Sequence, residues 1–198
     1  MLNTRALGEV FKKHSDDRLY KRWYLMTPNG TLLAYRQPAD ISDLRMNTAK
    51  AAIVWQEHQT PQRSESATED DTTKASMPTL LRTLTVEAES GNTIIRKIQP
   101  QMLLVLEGGV PPRKRTFEPR VTPEGPGDAP YPTGAAQQAD STLNSSASSV
   151  AESTKSSVVP GGVLGLQRRK LDVLAAMIAQ SFEQTAFRMP DEGSTKYF

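Results

Sequence analysis

The chain has 198 residues, with 24 basic side chains against 22 acidic, 14 prolines and no cysteine. A net charge of +2 gives no electrostatic case for nucleic acid, which takes a basic stripe or face. Zero cysteine excludes disulfides, zinc ribbons, iron–sulfur ligation and thiol catalysis together, and it fits a reducing compartment.

The longest strictly apolar run, residues 173–179, falls well short of the roughly 20 residues of a membrane span. The opening MLNTRALGEVFKKH has no unbroken apolar stretch, and neither Leu2 nor the closing Tyr197-Phe198 fits a lipidation motif. The expectation is one soluble, intracellular domain with a tail or an insertion.

Leu2, Ala6, Leu7, Val10 and Phe11 recur at helical spacing and predict a short amphipathic helix. Residues 21–27 (KRWYLMT) and 31–35 (TLLAY) read as strands joined by Pro28-Asn29-Gly30. Proline presets φ for a turn, and Asn and Gly tolerate positive φ, so these strands form a hairpin. Ser42 and Asp43 are candidate N-caps for a helix over 44–59, which Pro61 stops. The polar stretch 60–78 reads as a flexible loop.

Three strands follow, at 79–87 (TLLRTLTVE), 93–98 and 101–107 (QMLLVLE). The last is almost wholly apolar, so both its faces are expected to be covered, as in a central strand. Residues 108–162 then hold 8 of the 14 prolines, 7 of the 12 glycines and 8 serines. So little apolar surface cannot offset the entropy of ordering the segment, which reads as a disordered insertion. Stretching a ~6-residue connection to that length costs a single domain only about 2 kcal/mol. Gly108-Gly109 and Gly161-Gly162 read as its flexible exits. Leu171, Leu174, Ile178 and Phe182 stripe a closing helix over 163–187, and residues 189–198 form a tail.

The order α-β-β-α-β-β-β-α predicts an α/β (α+β) sandwich over 1–107 and 163–188. Its five-stranded antiparallel sheet has one helix on one face and two on the other. Short links make a hairpin of the first two strands and a meander of the other three, and placing the fifth strand beside the first centres QMLLVLE. Strand 79–87 is then an edge. A long apolar edge is a pairing hazard unless something pairs with it, so that strand points to dimerisation.

The opening ML-x-x-x-AL-x-x-V, Leu25 with the run GTLLAY at 30–35, and the helix ending in Ile53-Val54-Trp55 carry a resemblance. With the strand pattern G-x-x-x-I-x-x-I and the helix GLQRRKLDVL, they resemble the roadblock family, most nearly the adaptor subunits of Ragulator or EGO-type complexes. The match covers a little over half of the chain; the insertion and the tail lie outside it. The resemblance implies a non-enzymatic scaffold that heterodimerises with a second roadblock-fold subunit. Such an assembly is peripheral on the cytosolic face of the late endosome, lysosome or vacuole, tethered by a separate lipidated subunit. It docks Rag-type GTPases and links amino-acid supply to the TOR kinase. A dynein-type roadblock light chain and a regulator of small-GTPase nucleotide state are the alternatives.

The implied dimer interface comprises Thr48, Ala52 and Trp55 on the middle helix, with Leu80, Arg82, Thr83, Leu84, Thr85 and Val86 on the third strand. Trp55 is open to two readings, an interface anchor or core packing of helix on sheet. No catalytic, metal or cofactor-binding residue is expected. His14 and His58 sit in no recognisable motif, and G-x-S-x-G, H-E-x-x-H and P-loop patterns are missing. The acidic run at 69–71 reads as a solvated loop. Arg113-Lys114-Arg115 and Arg168-Arg169-Lys170 are solvated basic faces or contacts for an acidic partner or anionic membrane. Thr60-Pro61 and Thr122-Pro123 are loop Thr-Pro dipeptides open to phosphorylation.

Overall fold

Turn chemistry starts the sheet. The structure, a computed structural model, describes residues 2–59, 81–110, 118–125 and 162–190. Strands β1 (Arg22–Met26) and β2 (Leu32–Tyr35) are joined at Pro28-Asn29-Gly30, where Gly30 takes φ +88° and the Thr27 N–H donates to the Thr31 carbonyl at 2.9 Å. A side chain at Gly30 is opposed twice over: by that φ, and by Ala52, whose Cβ would stand 3.3 Å from an added Cβ.

The strands β3 (Thr83–Glu87), β4 (Asn92–Gln99) and β5 (Met102–Gly108) form the expected meander, and β5 pairs with β1. The full order is β2-β1-β5-β4-β3-β6, all antiparallel. The sixth strand, β6 (Arg120–Glu124), corrects two expectations. Among the described residues the sheet has six strands rather than five, and β3 is an interior strand rather than an edge. The expectation of disorder over 108–162 also fails at β6; most of the remainder lies outside the described residues, as do the loop 60–78 and tail residues 191–198. The Arg120-Val121-Thr122 triplet can ladder because β3 offers a free row of backbone groups. Pro123 is compatible with β6 being the outermost strand among the described residues, since proline lacks the N–H that an interior strand needs on both sides.

The helices cover the faces as expected. Helix α1 (Thr4–His14) and α3 (Gly162–Gln184) pack on one face, joining Phe11, Leu171, Leu174, Ile178 and Phe182 to Trp23, Leu25 and Ile94. On the other face α2 (Ile41–Gln59) sets Leu44, Ala51, Ala52 and Trp55 against Tyr24, Met26, Leu84 and Ile95. Strand β5 feeds both layers, Met102, Leu104 and Leu106 to one and Leu103 and Val105 to the other. Complete burial of each such side chain contributes about 1.5–3 kcal/mol.

The α2 cap differs from expectation. Asp40, not Ser42 or Asp43, caps the helix: its Oδ1 accepts from the N–H groups of Ser42 at 2.9 Å and Asp43 at 3.3 Å. Asp43 is then free to pair with Arg22 at 2.5 Å, tying the helix to β1.

The glycines at 108 and 109 are not flexible exits but points of close approach. A Cβ on Gly108 would stand 2.2 Å from Gln167 Nε2, and one on Gly109 only 1.9 Å from the Arg18 carbonyl. Gln167 is wholly buried and donates to the carbonyls of Gly109 (2.7 Å) and Leu19 (3.0 Å) while accepting from Asn92 Nδ2 at 2.8 Å. The loop carrying Leu19 is itself fixed by Asp16, whose Oδ1 gathers the N–H groups of Arg18, Leu19 and Tyr20.

Candidate interaction surface

The middle helix has two distinct stripes, and the residues expected at the interface lie on the inner one. Thr48, Ala52 and Trp55 are buried against the protein's own sheet, and Thr48 Oγ1 donates to the Leu44 carbonyl. Trp55 is wholly enclosed in the α2-side core, which decides its two readings in favour of packing. The outer stripe runs through Ser42, Met46, Ala49 and Ile53, all exposed and spaced four, three and four residues apart. Met46 is 53% and Ile53 56% accessible. These positions share one helix face, so two large apolar side chains line the solvent side of a helix whose other side is already satisfied.

Thr83, Leu84 and Thr85 are buried, Arg82 is exposed and Val86 half-buried, while Leu80 lies outside the described residues. Every position from Thr83 to Glu87 is paired twice, to β4 and to β6. The backbone edge expected of this strand is therefore occupied by the chain itself.

Two of the three basic residues at the start of α3 are used internally. Arg168 forms a two-pronged pair with Glu124 of β6, Nη1 to Oε1 at 2.9 Å and Nη2 to Oε2 at 2.5 Å, with both side chains about nine-tenths buried. Lys170 Nζ stands 5.9 Å from the centre of the Tyr20 ring, and Arg169 is exposed. Arg113-Lys114-Arg115, the acidic run at 69–71 and Thr60-Pro61 lie outside the described residues, whereas Thr122-Pro123 falls within β6.

A cleft of about 450 Å³ opens between α2 and the sheet, lined by Arg22, Tyr24, Asn47, Lys50, Asn92 and Glu107 among others. At its base Tyr24 Oη donates to Glu107 Oε1 at 3.1 Å, and Arg22 Nη1 lies 3.6 Å from Glu107 Oε2. Burial raises the Glu107 carboxyl above its ordinary value, against the opposing pull of Arg22 and the hydrogen bonds from Tyr24 and Asn47. Burial and the adjacent carboxylate raise the Tyr24 phenol as well. The groups are tied to one another across α2, β1 and β5, the arrangement of a polar clamp between layers.

His14 offers its carbonyl to Trp23 Nε1 at 3.1 Å, and His58 Nδ1 contacts the Val54 carbonyl at 2.9 Å. Among the described residues no three His, Cys, Asp or Glu side chains cluster where a metal ion could be held, and no helix is long and apolar enough to cross a membrane.

The clamp predicts a pH dependence. A carboxyl with a raised pKa holds its proton better folded than unfolded. Its contribution is therefore fully present below the ordinary carboxyl value of 4.5 and is lost as pH rises through the folded value. Glu107→Gln cannot lose it. The stability of this variant relative to wild type should rise between pH 4 and 7, as read from urea unfolding at each pH. A difference independent of pH would contradict the assignment.

The fold defined by these elements is an α/β sandwich with the layers and strand order expected from the sequence, plus one strand. No family model and no curated protein matches the chain. Among solved structures it is similar to the crystal structure of a Roadblock/LC7 domain from Streptomyces avermitilis, with a TM-score of 0.39 and 10% identity over 52% of this chain and 77% of that one.

Proposed function

We propose that this protein is a non-catalytic scaffold subunit of a Ragulator or EGO-type complex. In this reading it heterodimerises with a second roadblock-fold protein and is held at the lysosomal or vacuolar surface by a separate lipidated subunit. There it docks Rag-type GTPases for amino-acid signalling to the TOR kinase. The outer stripe of α2 is the observation that supports pairing most directly: Met46 and Ile53 are large, apolar and exposed on a helix already anchored by its opposite face. Exposed apolar patches of this kind mark protein–protein contacts. The sandwich order agrees with a fold whose members pair through this helix.

Affinity isolation of the tagged full chain from cytosol and vacuolar membrane extract, read by mass spectrometry, tests the proposal. Recovery of a second roadblock-fold subunit, a lipidated anchor and Rag-type GTPases is the expected result. Recovery of dynein intermediate chain instead would overturn it in favour of a motor subunit.

A further inference from the structure

We propose that the end of the molecule where the last turn of α1 meets the first half of α3 is a cationic face that adsorbs directly to an anionic lipid surface. Six basic residues gather there: Lys12 and Lys13 on α1, Arg18 and Lys21 in the connection to β1, and Arg169 with Lys170 on α3.

They come together because three segments are tied at this end. Gln167 of α3 donates to the Leu19 carbonyl at 3.0 Å, and the Trp23 indole donates to the His14 carbonyl at 3.1 Å. Tyr20 stacks on Trp23 with ring centres 6.3 Å apart, and Lys170 Nζ stands over the same Tyr20 ring. A Cβ on Gly109 would lie 3.0 Å from Lys21 Cε, so that stem passes against the chain leaving β5. His14 reports the crowding of charge: burial first, then Lys170 and Lys13, hold its pKa below the ordinary value.

The charge is uncompensated. Among the described residues none of the six has an ion-pair partner within 4 Å; the cations that do are Arg22, Arg96 and Arg168. Two acidic residues, Asp16 and Asp17, share the connection, and Asp16 is committed to its turn, where its Oδ1 accepts three backbone N–H groups. Glu9, a turn earlier on α1, stands with Arg5 along the groove between α1 and β2. Six cations against two carboxylates make a local excess of four on a chain whose whole charge is only +2.

The chemistry of the face selects its occupant. Of the exposed large apolar side chains only Val173 comes within a helical turn of these cations; Ile41, Met46, Ile53, Val121 and Met177 lie elsewhere. Protein interfaces are sealed by an apolar core, whereas adsorption to a charged bilayer needs none. Four of the six are lysines, compact point charges suited to a diffuse field of headgroups. The guanidinium fork of Arg168, the kind of group that grips one carboxylate or phosphate with two bonds, is spent on Glu124. Helix α2 covers the opposite face of the sheet, so Met46 and Ile53 stay open to a partner while this end meets lipid.

Cosedimentation of the full chain with vesicles tests this, using phosphatidylcholine alone and phosphatidylcholine with about a third phosphatidylserine. Wild type should bind the phosphatidylserine vesicles and not the neutral ones, and binding should fall steeply as added salt screens the field. Each cation near such a surface contributes about fivefold, so Lys12→Gln with Lys13→Gln should weaken binding about twenty-five-fold. Arg45→Gln with Lys50→Gln removes the same charge from α2 and should leave binding within about twofold of wild type. All four positions are exposed, so both variants should keep the wild-type Tm. Arg113-Lys114-Arg115 is present in every protein compared and cannot produce the difference.

The inference is overturned if phosphatidylserine vesicles are not bound, or if the two variants weaken binding equally. In the first case, capture of poly-L-glutamate or of a DNA duplex would name an acidic protein or nucleic acid as the occupant instead. No readout uses a second subunit. Loss of vesicle binding leaves the pairing proposal standing, and failure to recover a roadblock partner leaves these results unchanged.

Discussion

Trp55→Ala is expected to destabilise the folded chain by about 3–5 kcal/mol, the cost of emptying a large aromatic site in a packed core. Trp55 is wholly enclosed by the cluster of Tyr24, Met26, Leu84, Ile95 and Leu103, so its neighbours cannot collapse into the space without moving α2 or the sheet. For a domain of this size that loss corresponds to a fall in Tm of roughly 10–20 °C, measurable by calorimetry. Its indole Nε1 has no hydrogen-bond partner among the described residues. Trp55→Phe removes that unpaired donor along with part of the ring, so it should cost much less than alanine. An unchanged Tm in Trp55→Ala would return the residue to the interface.

Gln167→Leu is expected to cost roughly 2–4 kcal/mol, from buried polar groups left without partners. The side chains are similar in size, so packing changes little. What goes is the junction of three separate segments: the Leu19 carbonyl before β1, the Asn92 amide at the start of β4 and the Gly109 carbonyl after β5. All three face the wholly buried amide of Gln167, where water cannot replace the lost bonds. Chemical denaturation should give a lower midpoint with an unchanged slope. A midpoint within error of wild type would show that water reaches the junction.

Much of the architecture is legible in the residues because it is written in periodicity and turns. The Pro28-Asn29-Gly30 hairpin, the apolar run of β5 and the stripe of α3 each have a short-range signal, and the strand order follows from short links plus the need to bury β5 on both faces. What escapes is decided over long range. β6 sits among prolines and glycines, and only the free edge of β3 makes a strand of it; Arg120-Val121-Thr122 was the sole local hint. Gly108 and Gly109 look flexible in sequence because nothing local reveals that Gln167, far along the chain, lies against them.

Which face of α2 packs on the sheet is hidden in the sequence for a similar reason. A helix carrying small residues on two faces, as α2 does, does not announce which one meets the sheet. Trp55 drew attention by its size, yet large aromatics fill cores as readily as interfaces. Met46 and Ile53, large apolar residues seven positions apart, mark the exposed face opposite Leu44, Ala51 and Trp55. Arg168 likewise reads as part of a basic cluster until Glu124 is folded against it.

The pairing claim is tested most directly by repeating the affinity isolation with Met46→Asp and Ile53→Asp combined. Both side chains are exposed, so the variant should keep the Tm of wild type. The account predicts that wild type brings down a second roadblock-fold subunit and that the folded double variant brings down none. Equal recovery by the two proteins would contradict it.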